Sequence, residues 1–206
     1  MTCPQLAARG TRGEAGRIIH GTAWLTLSTG LEGVLNYAYA LLATRLLPVE
    51  HYTVFAAGQA LLLILGSAAG TAIPWVLARG LARAGGDRWA RSQAVRFAVT
   101  ANLAFGAAAA VLVWIVASTF ADSGEAVMLA GGTALLFTSS TVWGYLQGEE
   151  RFLALGLLRV AEVVGKVTVG VTLMALGFGA LGGLAGFGAG SVIVLAVGTW
   201  HLRADL

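Results

Sequence analysis

The stretch FAVTANLAFGAAAAVLVWIVASTF, residues 97–120, contains no charged side chain. A helix of about 20 apolar residues spans the hydrocarbon core of a bilayer. The rest of the chain has the same character, because 57% of its 206 residues are hydrophobic and 11% are charged. A soluble domain carries about 25% charged residues, and the mean hydropathy here is +0.79. The composition therefore predicts an all-α protein embedded in a membrane.

Long apolar runs separated by short polar breaks predict six transmembrane helices. The first run is longer than the apolar region of a cleavable signal peptide, so we expect it to remain as the first span. Residues 79–96 are too polar to cross and predict a short segment on the surface of an anionic leaflet. The predicted regions are an N-terminal tail at 1–17, spans at 18–47, 52–78, 94–120, 125–147, 154–177 and 181–201, and a C-terminal tail at 202–206.

The distribution of basic residues predicts the orientation of these spans, since cytoplasmic loops are enriched in lysine and arginine. The loops on one side contain neither residue but hold Glu50, Asp122 and Glu125. The tails and the loops on the other side hold arginines at positions 9, 12, 17, 79, 83, 88, 91, 96, 151 and 203. We therefore expect a multi-pass protein of the cytoplasmic membrane with both termini in the cytoplasm.

Several classes of function lack the residues they need. The single cysteine, Cys3, excludes an intrachain disulfide, and the widely separated His20, His51 and His201 do not predict a metal site. The arginines flank spans and belong to no recognisable nucleic-acid-binding module. No catalytic triad, Cys/His pair or carboxylate pair has catalytic spacing. We therefore expect neither an enzyme nor a cofactor, and no nucleic-acid partner.

The 29 glycines predict close helix packing rather than a phosphate-binding loop. Small residues four apart let transmembrane helices approach each other. No glycine run is followed by the GK[ST] signature of a phosphate-binding loop. The overlapping four-residue spacings of the last span involve Gly179, Gly182, Gly183, Gly186 and Gly190.

The stretch LLRVAEVVGKVTVG, residues 157–170, carries three charges inside the fifth span. At 100° per residue, Arg159, Glu162 and Lys166 share one helix face about 60° wide. Arg159 lies about 8 Å from the start of the span and is able to snorkel to the surface, whereas Lys166 lies about 18 Å along, near mid-bilayer.

A charge at that depth costs about 2.5–3.5 kcal/mol, and an i, i+4 pair between Glu162 and Lys166 recovers about 0.5 kcal/mol. Two interpretations remain open. The charged face lines a cavity, or it forms a buried bridge to another helix.

The first span offers partners for this face, because Glu32, Ser28, Asn36 and Tyr39 form a polar stripe along one side of it. A bridge from Glu32 to Lys166 and a water-filled groove lined by both helices are equally compatible with this stripe. The candidate cavity-lining residues are Lys166, Arg159, Glu162, Glu32, Asn36 and Tyr39.

Other polar residues in the spans favour structural roles. Asn102 in the third span and Thr138, Thr141 and Tyr145 on one face of the fourth predict hydrogen bonds between helices. Pro74 in the second span removes a backbone hydrogen bond and predicts a kink.

The stretch ATRLLPVEHYTVFA, residues 43–56, resembles the junction of the first two helices in polysaccharide exporters and lipid-linked oligosaccharide flippases. Their pattern there is roughly A-R-x-L-G-P-E-E-Y-G-x-F. The matching residues are Arg45, Leu47, Glu50, Tyr52 and Phe55, while Pro48, Val49 and Thr53 replace the usual Gly, Pro and Gly.

Two later stretches resemble the same family. YLQGEERFLALGLLRVAEVVGK, residues 145–166, is similar to the loop between its fourth and fifth helices, where Q-G-x-x-R-F precedes an apolar helix. Gln147, Gly148, Arg151 and Phe152 match that pattern. GFGALGGLAGFGAGSVIVL, residues 177–195, is similar to its hairpin of the fifth and sixth helices. The resemblance covers most of residues 17–200.

The resemblance implies a member of the multidrug, oligosaccharidyl-lipid and polysaccharide exporter superfamily. Its members have two six-helix lobes with alternating access to a central cavity, in which cationic residues hold the pyrophosphate of a polyprenyl-linked glycan. Ion gradients or the membrane potential drive the cycle. The six spans here correspond to the N-terminal lobe only, and a parallel second lobe requires both ends of the first on one side.

We therefore expect a transporter lobe that helps to flip or export a lipid-linked saccharide for cell-envelope polysaccharide synthesis. A chain of this length has no second lobe, so a homodimer, a partner chain or a truncated fragment is implied. The alternatives are a small-molecule or drug exporter of the same superfamily, with Glu32 as a cation-coupling candidate, and a non-transporting membrane scaffold subunit.

Overall fold

The computed structural model describes residues 4–202, with side chains described at residues 21 and 23–200. This part of the chain is helical and contains no strand. The helices are α1 (Pro4–Leu46), α2 (Val49–Ala69), α3 (Ala72–Ala84), α4 (Arg88–Ala117), α5 (Ser123–Gly148), α6 (Phe152–Ala175) and α7 (Gly179–Leu202). Helix α1 begins at Pro4, so residues 4–17 of the predicted N-terminal tail are helical. Residues 203–206 of the predicted C-terminal tail lie outside the described range.

The predicted second span, 52–78, is divided into α2 and α3. Pro74 has no backbone N–H, and its ring crowds the carbonyl of the residue four positions earlier, Gly70. The helix breaks at Gly70 and Thr71, and Pro74 then lies in the first turn of α3, where a missing N–H leaves no helical bond unmade. The kink predicted from Pro74 is therefore a break one turn before it.

Four helical stretches are long and apolar enough to cross a membrane: Val49–Ala84 across the bend, Arg88–Ala117, Ser123–Gly148 and Gly179–Trp200. The protein is therefore membrane-embedded. Helix α6 has the length of a span, but any 18 consecutive residues of it contain three charges. Helix α1 is also long, and its polar stripe lowers its mean hydropathy. Helices α1 and α6 thus differ from the four apolar stretches. They are also the two helices whose polar faces the sequence predicts to lie together.

Helix α5 lies at the centre of the bundle and contacts α2, α3, α4, α6 and α7, whereas α1 packs mainly on α6. Two apolar cores lie along this axis. The first core contains Tyr39, Phe55, Leu62, Leu129, Met174 and Leu184, and the second core contains Leu77, Leu81, Val95, Val142, Leu155 and Val194. Both cores draw on α5, one near its start and one near its end. The stretch of the bundle between them holds the polar residues.

Glycines fix the closest helix contacts. A side chain at Gly144 would lie 2.6 Å from Pro74 Cα, and one at Gly148 would lie 3.1 Å from Ala78 Cα, so α5 and α3 pack backbone to backbone. A side chain at Gly186 would lie 2.5 Å from the Lys166 carbonyl oxygen, and one at Gly190 would lie 2.9 Å from that of Glu162. The glycine face of α7 therefore holds the charged segment of α6 in position.

Candidate functional site

A cavity of about 420 Å³ lies between the two cores, and we call it the cleft. Ligand pockets have volumes of about 300–1,000 Å³. The cleft is walled by α1, α2, α5, α6 and α7. Its lining residues are Glu32, Asn36, Leu62, Leu63, Gly66, Ser67, Gly70, Thr71, Leu136, Ser139, Ser140, Trp143, Arg159, Glu162, Lys166 and Phe187. Five of the six candidate residues therefore meet in one cavity.

Arg159 pairs with Glu32 across the α1–α6 contact. The Arg159 Nη1 atom donates to Glu32 Oε2 at 3.2 Å, and the guanidinium lies 5.3 Å from the centre of the Trp143 ring. The two side chains keep 30% and 33% of their surface exposed. The expected snorkelling of Arg159 to the surface is thus replaced by an ion pair inside the cleft.

Lys166 is held by Asn36, not by Glu32. Its ammonium donates to the Asn36 Oδ1 atom and lies 4.5 Å from the centre of the Phe187 ring. Lys166 is 7% exposed, and the helical rise places it about 21 Å from Phe152 and about 14 Å from Ala175. Among the described residues, no carboxylate forms a salt bridge with this mid-helix cation.

Glu162 lines the cleft without a partner among the described side chains. Its i, i+4 neighbour Lys166 forms no salt bridge with it, although the sequence spacing favours one. Backbone packing of Gly190 against Glu162 fixes the position of the residue in α6. Glu162 therefore lines the cleft while its Cγ atom lies against Gly190 of α7.

Tyr39 lies outside the cleft. It is fully buried in the first core, where its hydroxyl donates to the Gly183 carbonyl at 2.5 Å. Its ring meets the Phe55 ring edge-on at 5.4 Å. Phe187 contacts the Tyr39 ring and also lines the cleft. Tyr39 therefore packs against the wall of the cleft without lining it.

Sequence reasoning missed the wall opposite the charges. Ser67 on α2 and Ser139, Ser140 and Trp143 on α5 line it. The hydroxyl groups of the three serines each donate to a carbonyl of their own helix, at 2.7–3.0 Å. Their oxygens therefore keep acceptor lone pairs, and all three residues line the cleft. The sequence signal for this wall was the presence of three serines in apolar spans. Serines that hydrogen-bond to their own helix are common in such spans, so the signal does not distinguish a cleft.

Of the polar residues expected to bond between helices, Asn102 and Thr141 do so, whereas Thr138 bonds its own helix. Asn102 Nδ2 on α4 donates to Thr141 Oγ1 on α5 at 2.8 Å, and both residues are buried. Thr138 donates to the Ala134 carbonyl of its own helix. The fourth-span face named in the sequence thus splits, with Thr141 directed to α4 and the adjacent serines lining the cleft.

Among the side chains that the structure describes, at residues 21 and 23–200, no group of three or more His, Cys, Asp or Glu is placed to hold a metal ion. The cleft instead combines two cations, two carboxylates and a row of hydroxyl groups. Such a set binds a small charged ligand or headgroup by ion pairs and hydrogen bonds.

Comparison with protein-family models, curated proteins and solved structures gives no match to this chain.

Proposed function

We propose that this chain is one lobe of a membrane transporter and that the cleft is part of the substrate path. The observation that carries the proposal is the grouping of four charged residues around a cavity in the middle of an apolar bundle. Charged residues within a membrane are costly and usually face a cavity or a transport pathway. A six-span lobe with both termini in the cytoplasm is the topology proposed here.

The exposure of the charged residues favours this proposal over a scaffold subunit. A scaffold needs no hydrated groove, so its polar faces would be covered by protein contacts. Glu32 and Arg159 instead keep about a third of their surface open, and Glu162 has no hydrogen-bonding partner among the described residues.

We further propose that the substrate is a lipid-linked saccharide. Helices α1 and α2 share few contacts, and exposed residues of α2 such as Leu63 and Ser67 form the rim of the cleft there. A lipid tail remains in the bilayer at the edge of this rim, beside the proposed second lobe, while its polar headgroup enters the cleft, where Lys166 attracts the phosphate. The resemblance of residues 43–56 and 145–166 to flippases supports the same substrate class.

The proposed second lobe is another copy of this chain or a partner. The charged pair Arg159–Glu32 is partly exposed at the side of the bundle, and lipid against it would cost several kcal/mol, on the order of the mid-bilayer values. A second lobe across the cleft keeps that side in contact with water and protein.

Cysteine labelling tests the hydrated cleft. In a Cys3→Ser chain reconstituted in bilayers, we expect a membrane-impermeant thiol reagent to label Glu32→Cys and Ser67→Cys. The matched controls are Val34→Cys and Ile64→Cys, which are 65% and 68% exposed, lie on the same two helices and do not line the cleft. If the cleft positions are protected from the thiol reagent as fully as the control positions, the result would favour the scaffold.

The same bilayers test transport. A polyprenyl-diphosphate saccharide with a fluorescent group is expected to cross in the presence of the protein, and Lys166→Ala is expected to abolish crossing while its abundance in the membrane is unchanged. A loss of abundance instead would make Lys166 a structural residue.

A further inference from the structure

Not every charged residue of the cleft forms an ion pair with an opposite charge. Arg159 and Glu32 form an ion pair. Lys166 is held by the neutral Asn36, and Glu162 has no partner among the described side chains. One cation and one anion therefore remain, one helical turn apart on α6, without an opposite charge in contact.

We propose that the cleft binds a zwitterionic headgroup, with an anionic phosphate at Lys166 and a cationic ammonium group at Glu162. This inference rests on the proposed function and adds that the headgroup of the lipid-linked saccharide carries an ammonium group beside its phosphate.

The neighbours of Lys166 explain why it does not close directly on Glu162. Its ammonium is held by Asn36 from α1 and by the face of Phe187 from α7. The two α6 residues are about 6 Å apart along the helix axis. Both α1 and α7 thus keep the cation separate from the carboxylate, which leaves room for a ligand that bridges them.

A ligand with a single charge fits this pair poorly. A phosphate bound to Lys166 lies close to Glu162 and is repelled by it, while a simple cation at Glu162 is repelled by Lys166. Opposite charges within one small ligand satisfy both residues, and opposite charges within about 4–6 Å attract. The neutral sum of the four cleft charges is consistent with a ligand of zero net charge.

The opposite wall suits an ammonium group. An ammonium has three N–H donors and no acceptor. The Ser139 and Ser140 hydroxyls already donate to the Leu136 and Phe137 carbonyls, so each offers lone pairs to the cleft. Glu162 supplies the charge, and the serines supply further acceptors.

Two phosphodiesters, one with an ammonium group and one without, test the proposal. Glycerophosphoethanolamine is zwitterionic, and glycerophosphoglycerol carries the same phosphate without the ammonium. Isothermal titration calorimetry with the purified full chain is expected to show about tenfold tighter binding of the zwitterion. Glu162→Gln is expected to remove this preference and leave binding of glycerophosphoglycerol unchanged or tighter. Glu50→Gln, an acidic residue outside the cleft, serves as the matched control.

The outcomes separate the possibilities. Equal or tighter binding of glycerophosphoglycerol by the unmodified chain, binding of neither ligand, or a preference that survives Glu162→Gln would overturn the zwitterion site. A short-chain phosphatidylethanolamine distinguishes the source of the headgroup. Tighter binding of this lipid than of its soluble headgroup assigns a membrane lipid, and equal binding assigns a free molecule. The labelling and crossing experiments fail or succeed independently of this result.

Discussion

The Arg159–Glu32 ion pair joins α6 to α1, and its energetics follow from its partial burial. Removing one partner leaves the other charge uncompensated in the middle of the bundle, at a cost of up to about 2.5–3.5 kcal/mol. We therefore predict that Arg159→Gln and Glu32→Gln each lower the melting temperature in lipid nanodiscs. The double variant, which has neither charge, is expected to be more stable than either single variant.

Thermal unfolding followed by near-ultraviolet circular dichroism measures this cycle. Glu50→Gln and Arg83→Gln, which remove charges outside the cleft, are the controls and are expected to change little. Additive losses in the double variant would show that the two side chains act separately.

The sequence predicts which residues meet but not how they pair. The 100° helical rotation groups Arg159, Glu162 and Lys166, and the same rule groups Glu32 with Asn36. The order of the pairs depends on the register of α1 against α6, which is set by packing along the whole contact. Glu32 consequently meets Arg159, and Asn36 meets Lys166, whereas the bridge considered from the sequence joined Glu32 to Lys166.

Among the helices, the contact of α6 with α7 depends on glycine. A side chain at Gly186 would lie 2.5 Å from the Lys166 carbonyl and 2.9 Å from the Tyr39 hydroxyl. We predict that Gly186→Ala forces the helices apart and destabilises the protein by about 1–3 kcal/mol, the usual range for overpacking. Because the displaced carbonyl belongs to Lys166, the variant is also expected to weaken ligand binding in the cleft.

Gly188→Ala is the matched control on the same helix. Its added methyl would lie 3.8 Å from Leu135 Cδ1, an ordinary contact, and alanine favours a helix by up to about 1 kcal/mol over glycine. Thermal unfolding of the two variants in nanodiscs compares them directly. A Gly186→Ala protein as stable as the Gly188→Ala protein would contradict the close contact.

Local chemistry predicts the elements better than their ends. The apolar runs and Pro74 indicate the long helices and the bend of the second span. The capping interactions that start α4 and α5 were not predicted. Asp87 accepts from the Trp89 and Ala90 amides, and the Asp122 amide donates to Glu125 Oε2 at 3.1 Å. These caps depend on short-range geometry, and charged residues near a span are otherwise interpreted as topological signals.

The cleft results from the way in which the helices pack in the whole molecule. Its walls come from α1, α2, α5, α6 and α7, and the apolar cores on either side fix the distance between them. Hydropathy predicts that the helices exist, but not that α1 packs mainly on α6 and leaves a gap toward α2. The serine wall was missed for this reason, since only the packing of α5 reveals which of its hydroxyl groups face the charges.

The open side of the cleft leads to a prediction about assembly. Leu63 at the rim is 43% exposed beside a cavity with four charges, whereas Phe105 on α4 is 61% exposed on an apolar helix that lipid covers without cost. We predict that two copies of the chain meet at the rim, because a second copy shields the charged side from lipid.

In a Cys3→Ser background, a bifunctional thiol reagent should cross-link Leu63→Cys into dimers in bilayers and leave Phe105→Cys monomeric. Native mass spectrometry of the unmodified chain should show the same dimer. A monomer that captures a different membrane protein through Leu63→Cys would replace the second copy with a partner chain, and equal cross-linking at both positions would contradict a specific interface at the cleft.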